Sequence, residues 1–277
     1  MNRPNNGIPK GLIMLSQEKI GSLVQQRCSL KKALPWKWSQ QWRNVLFIHW
    51  KVPQNEVLFH LPSELELDTW DSAAWITAVA FRLDIGLRGL PKFMSFSDLL
   101  ELNLRTYVRR NGKPAIYFLS IHANSKIAVA LARRFTPLPY AFAPITYRDS
   151  PKEALFDCPN PATTGERPIL RVEFTPKGSC EEVAAHSVGA WLLERYRAYV
   201  LDKGGRLYSL SVEHPRWQVK EIVLESMVSG LGERWGLDLD RKPDCWHFSS
   251  GTDAVLWPFE AIGSRNPCAD SMIVAAK

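Results

Sequence analysis

The stretch that decides the fold spans residues 101–108 and reads Glu101-Leu102-Asn103-Leu104-Arg105-Thr106-Tyr107-Val108. In a β-strand, successive side chains point to opposite faces of the sheet, so every second residue shares a face. The alternation places leucine, threonine and valine on one face and four polar side chains on the other: Glu101, Asn103, Arg105 and Tyr107. A carboxylate, an amide, a guanidinium and a phenol are groups that bind a small polar ligand. An exposed strand face held by salt bridges uses the same residue types, so both interpretations are open at this point.

The sequence around this strand favours a sheet-rich α+β domain. Asn111-Gly112 predicts a tight hairpin whose second strand covers residues 114–122. Further β-type runs are expected at residues 45–50, 73–81, 140–147, 169–175, 206–213 and 246–259, the last turning near Ser250-Gly251. Helices are expected over residues 124–136, 181–199 and 221–235. Many short strands without a regular strand–helix alternation are typical of an antiparallel α+β domain or a closed barrel.

The chain of 277 residues is expected to form one domain over residues 34–262, with an N-terminal extension (1–33) and a C-terminal tail (263–277). The N-terminal region is basic: residues 1–51 contain nine Lys and Arg but one acidic residue, Glu18, so they carry a net charge of +8, while the rest of the chain sums to −1. Tryptophans lie between the basic residues of this region, which suits a nucleic acid or an anionic membrane surface. A solvated, flexible or weakly helical arm is the simpler interpretation, and we expect no nucleic-acid partner.

The cysteines and the absence of common motifs narrow the function classes. The five cysteines are odd in number and never form a Cys-x-x-Cys pair, which indicates free thiols in a reducing compartment, with the cytoplasm expected. No apolar run approaches the roughly 20 residues of a transmembrane helix, and no secretory signal is expected. Phosphate-loop, zinc-protease and nucleophile-elbow motifs are absent. The six histidines have no metal-type spacing, although three could converge in space, so neither a metal nor a cofactor is expected.

Several short blocks in a fixed order carry a family resemblance. They are Trp42-Arg43-x-x-Leu46-Phe47-x-His49-Trp50, Leu61-Pro62 with Leu65-x-Leu67-Asp68, the stretch 101–108, Tyr117-Phe118-x-Ser120, Ala132-Arg133 with Leu138-Pro139-Tyr140, Glu194-Arg195-Tyr196 and His214-Pro215-x-Trp217. With these blocks the chain resembles the YqjF-like proteins, the family of unknown function 2071, from about Trp42 to Pro258. One position departs from the family pattern, because Ser72 follows Asp71 where the family usually has glycine.

That family is similar in turn to the acetoacetate decarboxylase fold. The resemblance implies a closed antiparallel β-barrel with helices packed outside and a ligand site in its interior. Acetoacetate decarboxylases form a Schiff base on a lysine whose amine is kept neutral by its surroundings. Tyr140 stands at the position that corresponds to this lysine. Because a phenol cannot condense with a ketone to an iminium, the resemblance implies a pocket that lacks the decarboxylase nucleophile.

The resemblance also matches Glu101 to the acidic residue of the decarboxylase pocket, which makes Glu101 the candidate acid or base. Arg105 is expected to hold a ligand carboxylate through a forked hydrogen bond. The complete set of candidate ligand-binding residues is Asn103, Arg105, Tyr107, Tyr140 and His49. A structural alternative makes Glu101 and Arg105 a buried ion pair that fixes the strand register. The tyrosines and His49 could equally be core residues whose polar atoms are bonded within the protein.

Two function classes remain open from the sequence. The first is a barrel protein that binds a small metabolite with a carboxylate or a carbonyl in an interior pocket. The alternative is a lyase- or hydrolase-type enzyme that uses Glu101 as acid or base. A weaker alternative assigns the basic arm to a nucleic acid or a membrane surface. The sequence leaves homo-oligomerisation open.

Overall fold

A computed structural model describes residues 35–89, 95–150, 153–161 and 167–262. The expected basic extension and the expected C-terminal tail lie outside the described residues. The strands are β1 (Trp38–Val52), β2 (Glu66–Leu67), β3 (Ala74–Leu87), β4 (Phe96–Arg110), β5 (Lys113–Ala123), β6 (Tyr140–Phe142), β7 (Thr146–Arg148), β8 (Ala154–Cys158), β9 (Leu170–Glu182), β10 (Arg197–Leu201), β11 (Leu207–Glu213), β12 (Gln218–Ser229), β13 (Cys245–Leu256) and β14 (Glu260–Ile262). The helices are α1 (Gln54–Leu58), α2 (Lys126–Phe135) and α3 (Val188–Leu193), with one 3₁₀ turn at Glu233–Trp235.

Seven of the strands pair in a ring. β1 lies between β3 and β13, and the pairing continues from β3 through β4, β5 and β10 to β11. β11 then pairs with β13 through Val212 opposite Leu256 and Glu213 opposite Val255. The expectation of purely antiparallel pairing is wrong at β5, which pairs in parallel with both β6 and β10. Parallel neighbours need a long crossover, and the chain between β5 and β10 provides one.

A second sheet covers one side of the ring. β12 joins β13 at Lys220 opposite Phe248 and pairs along its length with β9, which continues to β8 and β7. One hydrophobic cluster lies between the ring and this sheet, and it includes Leu102, Leu104, Phe156 and Phe174. A second cluster takes residues from each of the seven ring strands and therefore lies inside the ring. β4 is buried on both faces, so its polar face points inward rather than to solvent.

The local signals around β4 and α2 predicted the structure correctly. Asn111 (φ 52°) and Gly112 (φ 71°) both lie in the left-handed region that a two-residue hairpin requires, and Arg110 pairs with Lys113. The side chain of Ser125 accepts a hydrogen bond from the amide of Ala128 (3.2 Å) and so caps α2. The hairpin and the helix are both confirmed.

Three other predicted elements are wrong. The helix expected at residues 181–199 is reduced to α3, and the helix expected at 221–235 is strand β12 followed by one 3₁₀ turn. β12 is rich in β-branched residues and pairs with β9, so tertiary pairing overrides the local pattern. The turn expected near Ser250-Gly251 is absent because β13 runs straight through it. Gly251 (φ 138°) is needed there, since a Cβ would lie 2.2 Å from the carbonyl oxygen of Trp42. Within the described ranges, no helix is long and apolar enough to cross a membrane.

Candidate functional site

The inside of the ring contains a cavity of about 780 Å³, a volume that includes the open space at its mouth. Most of its wall is aliphatic and aromatic. The polar residues of the wall are Gln40, Glu101, Asn103, Arg105, Tyr140, Arg195, Arg197 and His214. An apolar wall with a few converging polar groups is the usual composition of a small-molecule site.

Strand β4 delivers three of these polar side chains. Glu101, Asn103 and Arg105 alternate with buried leucines, as the two-residue period predicts. The register with β3 sets Glu101 opposite Phe81 and Asn103 opposite Val79, and both partners also line the cavity. The polar face of β4 is therefore part of the cavity wall, and the interpretation as an exposed strand face is wrong.

Glu101 is the central group of a buried hydrogen-bonded triad. The Tyr140 hydroxyl donates to Oε2 of Glu101 (2.8 Å), and Nδ2 of Asn103 donates to Oε1 (3.2 Å). Burial raises the pKa of Glu101 to about 7, although the hydrogen bonds from Tyr140 and Asn103 act in the opposite direction. Burial and the neighbouring carboxylate raise the pKa of Tyr140. At neutral pH the Glu101 carboxyl therefore exists in both protonation states, as a general acid or base requires.

Arg105 faces the cavity without an acidic partner. No carboxylate in the described parts of the chain lies within ion-pair distance of its guanidinium. The guanidinium carbon lies 5.7 Å from the centre of the Phe47 ring, and Nε has no hydrogen-bond partner. Burial lowers the pKa of Arg105, but a guanidinium stays charged in a protein. Arg105 and Glu101 thus do not form the ion pair of the structural alternative.

Arg195 is a cavity residue that the sequence reasoning assigned to a helix. It follows α3 rather than lying on it, and its Nη1 forms a buried ion pair with Asp68 (2.7 Å). Asp68 also accepts from Nε of Arg109 (2.6 Å). Nε of Arg195 donates to the carbonyl oxygen of Trp191 (2.7 Å), and the guanidinium stacks on the Trp191 ring at 4.3 Å. Nη2 has no partner, so one donor of this buried cation is unused.

His214 and Trp217 form an aromatic part of the wall. Their rings lie 5.2 Å apart, and Trp217 stacks on Trp42 at 5.8 Å. Nδ1 of His214 is bonded to the carbonyl oxygen of Pro215 (2.7 Å), and burial lowers the pKa of His214. The family blocks that contain Arg195, His214 and Trp217 were the available signal, but nothing in their spacing shows that they meet.

Two of the predicted ligand-binding residues lie behind the cavity wall. The Tyr107 hydroxyl is bonded to Oγ1 of Thr77 (2.7 Å), which is bonded in turn to Nδ1 of His49 (2.8 Å). Tyr107 and His49 are both fully buried, and neither belongs to the cavity lining. The structure thus brings Glu101, Asn103, Arg105 and Tyr140 together at the cavity, while Tyr107 and His49 belong to a buried polar network.

Two comparisons with known proteins relate this sequence to a protein family. The family described as "uncharacterized conserved protein", DUF2071, matches residues 39–253. The uncharacterized protein YqjF of Bacillus subtilis (strain 168) is 32% identical over 224 residues, which cover 80% of this chain and 91% of that protein.

Solved structures show which fold this is. Acetoacetate decarboxylase from Legionella pneumophila is 13% identical with a TM-score of 0.55, over 86% of this chain and 93% of that one. An acetoacetate decarboxylase-like enzyme from Sphingomonas wittichii RW1 is 10% identical with a TM-score of 0.58, over 83% and 95%. The enduracididine biosynthesis enzyme MppR, solved with pyruvate, is 13% identical with a TM-score of 0.56, over 86% and 94%. At such low sequence identities, the structural similarity establishes the fold alone, which is a mostly-sheet α+β fold of the acetoacetate decarboxylase-like type.

The extent of the family match and the identity to YqjF lead to the same conclusion. The family match, over residues 39–253, includes the cavity-lining segments of β1, β4 and β10. The chain belongs to the DUF2071 family of uncharacterized conserved proteins.

Proposed function

We propose that the ring of strands acts as a closed barrel whose cavity binds a small metabolite with a carboxylate or carbonyl group, anchored by Arg105. The observation that carries this proposal is the guanidinium of Arg105 at the cavity wall without an acidic partner among the described residues. The Tyr107 phenol is hydrogen-bonded to Arg105 but carries no counter-charge. A buried charge without a counter-charge is costly, and a ligand carboxylate would supply one.

The charges of the wall favour an anion. Among the residues that the structure describes, three guanidinium groups line the cavity, those of Arg105, Arg195 and Arg197, and Glu101 is the one lining carboxyl. Asp68 lies behind the wall and is shared between Arg195 and Arg109. A carboxylate can accept two parallel hydrogen bonds from a guanidinium, which fixes its orientation as well as its charge.

The wall also limits the chemistry. No lysine of the described residues lines the cavity, and Tyr140 occupies the position that the family resemblance assigns to the Schiff-base lysine. A barrel without that nucleophile can still bind the carboxylates and ketones on which a decarboxylase acts. The neighbour MppR was solved with pyruvate, and we therefore use pyruvate as the first probe.

A thermal-shift screen of small carboxylates and ketones tests the proposal. A ligand present at 100 times its Kd stabilises the native state by about 2.7 kcal/mol, or about 5–10 °C in Tm for a chain of this size. Arg105→Met removes the charge but keeps the length of the side chain. Loss of a charged hydrogen-bonded pair should weaken binding about 10- to 100-fold.

Arg110→Met is the matched control, because Arg110 lies on the same strand but does not line the cavity. We expect the control to respond to ligand like the wild type. Equal ligand shifts in wild type and Arg105→Met would refute the anchoring role. A large drop in Tm of Arg105→Met without ligand would assign Arg105 a structural role instead.

Acid/base catalysis by Glu101 is a second candidate function. It is favoured by a pKa of about 7 and by the hydrogen bond from Tyr140, both in the same cavity as Arg105. The test is proton exchange at the carbon next to the carbonyl of pyruvate, followed by NMR in D₂O. Exchange that Glu101→Gln abolishes supports catalysis. Exchange at the buffer rate, with ligand binding intact, supports a binding protein.

A further inference from the structure

A cluster of two histidines and a cysteine lies behind the cavity wall, between β1 and β13. Nε2 of His49 and Nδ1 of His247 are 3.1 Å apart, and the Sγ of Cys245 completes a group whose ligand atoms all lie within 4.8 Å of one another. His49 pairs directly with Cys245 across the two strands. His247 is two residues further along β13 and so shares the face of Cys245.

These atoms have the identity and spacing of a metal-ligand set. Imidazole nitrogen and thiolate sulfur bind Zn²⁺ at about 2.0–2.1 and 2.3 Å, which places neighbouring ligands of a tetrahedral site about 3.3–3.6 Å apart. The His49–His247 spacing of 3.1 Å lies just below this range, and the three ligand atoms all lie within 4.8 Å of one another. To bind one ion, the two imidazole nitrogens need to separate from their 3.1 Å contact by roughly 0.2–0.3 Å.

Nδ1, the ring nitrogen of His49 that would not bind the metal, already has a hydrogen-bond partner. Nδ1 is bonded to Oγ1 of Thr77 (2.8 Å), which leaves Nε2 directed at His247 and the cluster. A metal-binding histidine usually donates its other N–H to such a neighbour, which fixes the tautomer and the ring orientation. Thr77 is held in turn by the Tyr107 hydroxyl at 2.7 Å.

The packing of α3 fixes the second histidine. A Cβ at Gly189 would lie 3.0 Å from Nε2 of His247 and 2.8 Å from a methyl carbon of Val183. The absence of a side chain at Gly189 therefore lets the helix pack directly on the imidazole. The ring is confined to an orientation in which Nδ1 faces His49.

We propose that His49, Cys245 and His247 bind a thiophilic divalent cation of the Zn²⁺ class, with water as the fourth ligand. The soft thiolate and the two imidazoles select against Mg²⁺ and Ca²⁺, which prefer oxygen ligands. In the described residues, no further histidine, cysteine or carboxylate joins the group, so this part of the chain supplies three ligands. None of the three lines the cavity, so the site is separate from the proposed ligand pocket.

The sequence led to the opposite expectation because the spacing along the chain gives no hint of the site. Cys245-x-His247 places two ligands on one strand face, but the third lies 198 residues before His247. Only the pairing of β1 with β13 brings them together. A bound metal would link these two strands of the ring.

Cobalt spectroscopy of the full chain, stripped of metal with a chelator, tests the proposal. Co²⁺ added to the stripped protein should give a 1:1 complex with thiolate-to-cobalt charge-transfer absorption, and Zn²⁺ should displace it. Cys245→Ser should abolish the charge-transfer band. Cys180→Ser, at an exposed thiol on β9, is the matched control and should leave the band unchanged. Thr77→Val should weaken Co²⁺ binding about 10- to 100-fold, because the His49 ring loses its orienting partner.

Thermal melting with and without Zn²⁺ distinguishes loss of metal binding from failure of a variant to fold. Zn²⁺ should raise the Tm of the wild type and of Cys180→Ser but not that of Cys245→Ser. A charge-transfer band that persists in Cys245→Ser would overturn the proposal. A wild type that gives neither the band nor a Zn²⁺-dependent Tm would overturn it as well.

Discussion

Replacing Glu101 by glutamine tests the buried carboxyl at the centre of the cavity wall. Burial raises the pKa of Glu101 from 4.5 to about 7 in the native state. Because one pKa unit corresponds to about 1.4 kcal/mol, the ionised carboxylate destabilises the native state by about 3 kcal/mol. Glutamine has the shape of the protonated acid and carries no charge at any pH. Its carbonyl oxygen can still accept the hydrogen bond from Tyr140.

The sign of the pH dependence follows from proton binding. Between pH 4.5 and about 7 the native state retains a proton that the unfolded chain has lost, so the wild type loses stability as the pH rises through this window. Below the window both states are protonated. We therefore expect Glu101→Gln to match the wild type at about pH 4.5 and to be more stable by up to about 3 kcal/mol at pH 8.

Urea denaturation followed by tryptophan fluorescence measures the effect. The free energy of unfolding is determined for both proteins at several pH values, and their difference cancels the titration of all other groups. Glu66→Gln, at an exposed carboxyl on β2, is the control and should show no pH-dependent difference from the wild type. A difference between Glu101→Gln and wild type that stays constant from pH 4.5 to pH 8 would show that burial does not raise the pKa of Glu101 in the native state.

Three further substitutions test other parts of the structure. Tyr140→Phe removes a hydrogen bond that lowers the pKa of Glu101, so the loss of stability should move to higher pH in the same urea series. Asp68→Asn leaves the buried guanidinium of Arg195 without its counter-charge and should lower the free energy of unfolding by about 3–5 kcal/mol. Ser72→Gly relieves a left-handed backbone (φ 61°) and should raise the free energy of unfolding by up to about 1 kcal/mol, measured by thermal melting.

Matched controls accompany two of these substitutions. Glu233→Gln removes an acid of a solvent-exposed pair and should change stability by less than about 0.5 kcal/mol. Ser63→Gly introduces glycine outside the left-handed region and should not stabilise the protein. If Asp68→Asn loses no more stability than Glu233→Gln, Asp68 does not stabilise the buried guanidinium of Arg195. If Ser72→Gly is no more stable than Ser63→Gly, the left-handed backbone at Ser72 does not cost stability. An unchanged pH dependence in Tyr140→Phe would show that the hydrogen bond from Tyr140 does not affect the pKa of Glu101.

The sequence predicted those parts of the site that depend on local periodicity. The alternation of β4 correctly placed Glu101, Asn103 and Arg105 on one face, because a strand fixes side-chain direction residue by residue. The hairpin at Asn111-Gly112 was also predictable from local sequence, because these residue types favour the positive φ of a two-residue turn. That the polar face points inward could not follow from alternation alone. It follows because the opposite face of β4 is covered by the second sheet.

Features that depend on contacts between distant segments were not predictable. Arg195 lies at the cavity because α3 ends before it and Asp68 holds it, a contact across 127 residues. The ring of strands depends on the pairing of β11 with β13, for which no local pattern exists. His49 was predicted to bind the ligand, but it is bonded to Thr77 and His247, which lie on two other strands. In each case tertiary pairing decides the role of the residue.

The position of a bound carboxylate in a crystal shows whether Arg105 anchors a ligand inside the ring of strands. A crystal of the protein is soaked with pyruvate, or with whichever carboxylate gives the largest thermal shift, and the difference density is measured. We expect density inside the ring of strands, with the carboxylate group within hydrogen-bond distance of the Arg105 guanidinium. Ligand density at any other place, or an empty cavity at a concentration that saturates binding in solution, would contradict this expectation.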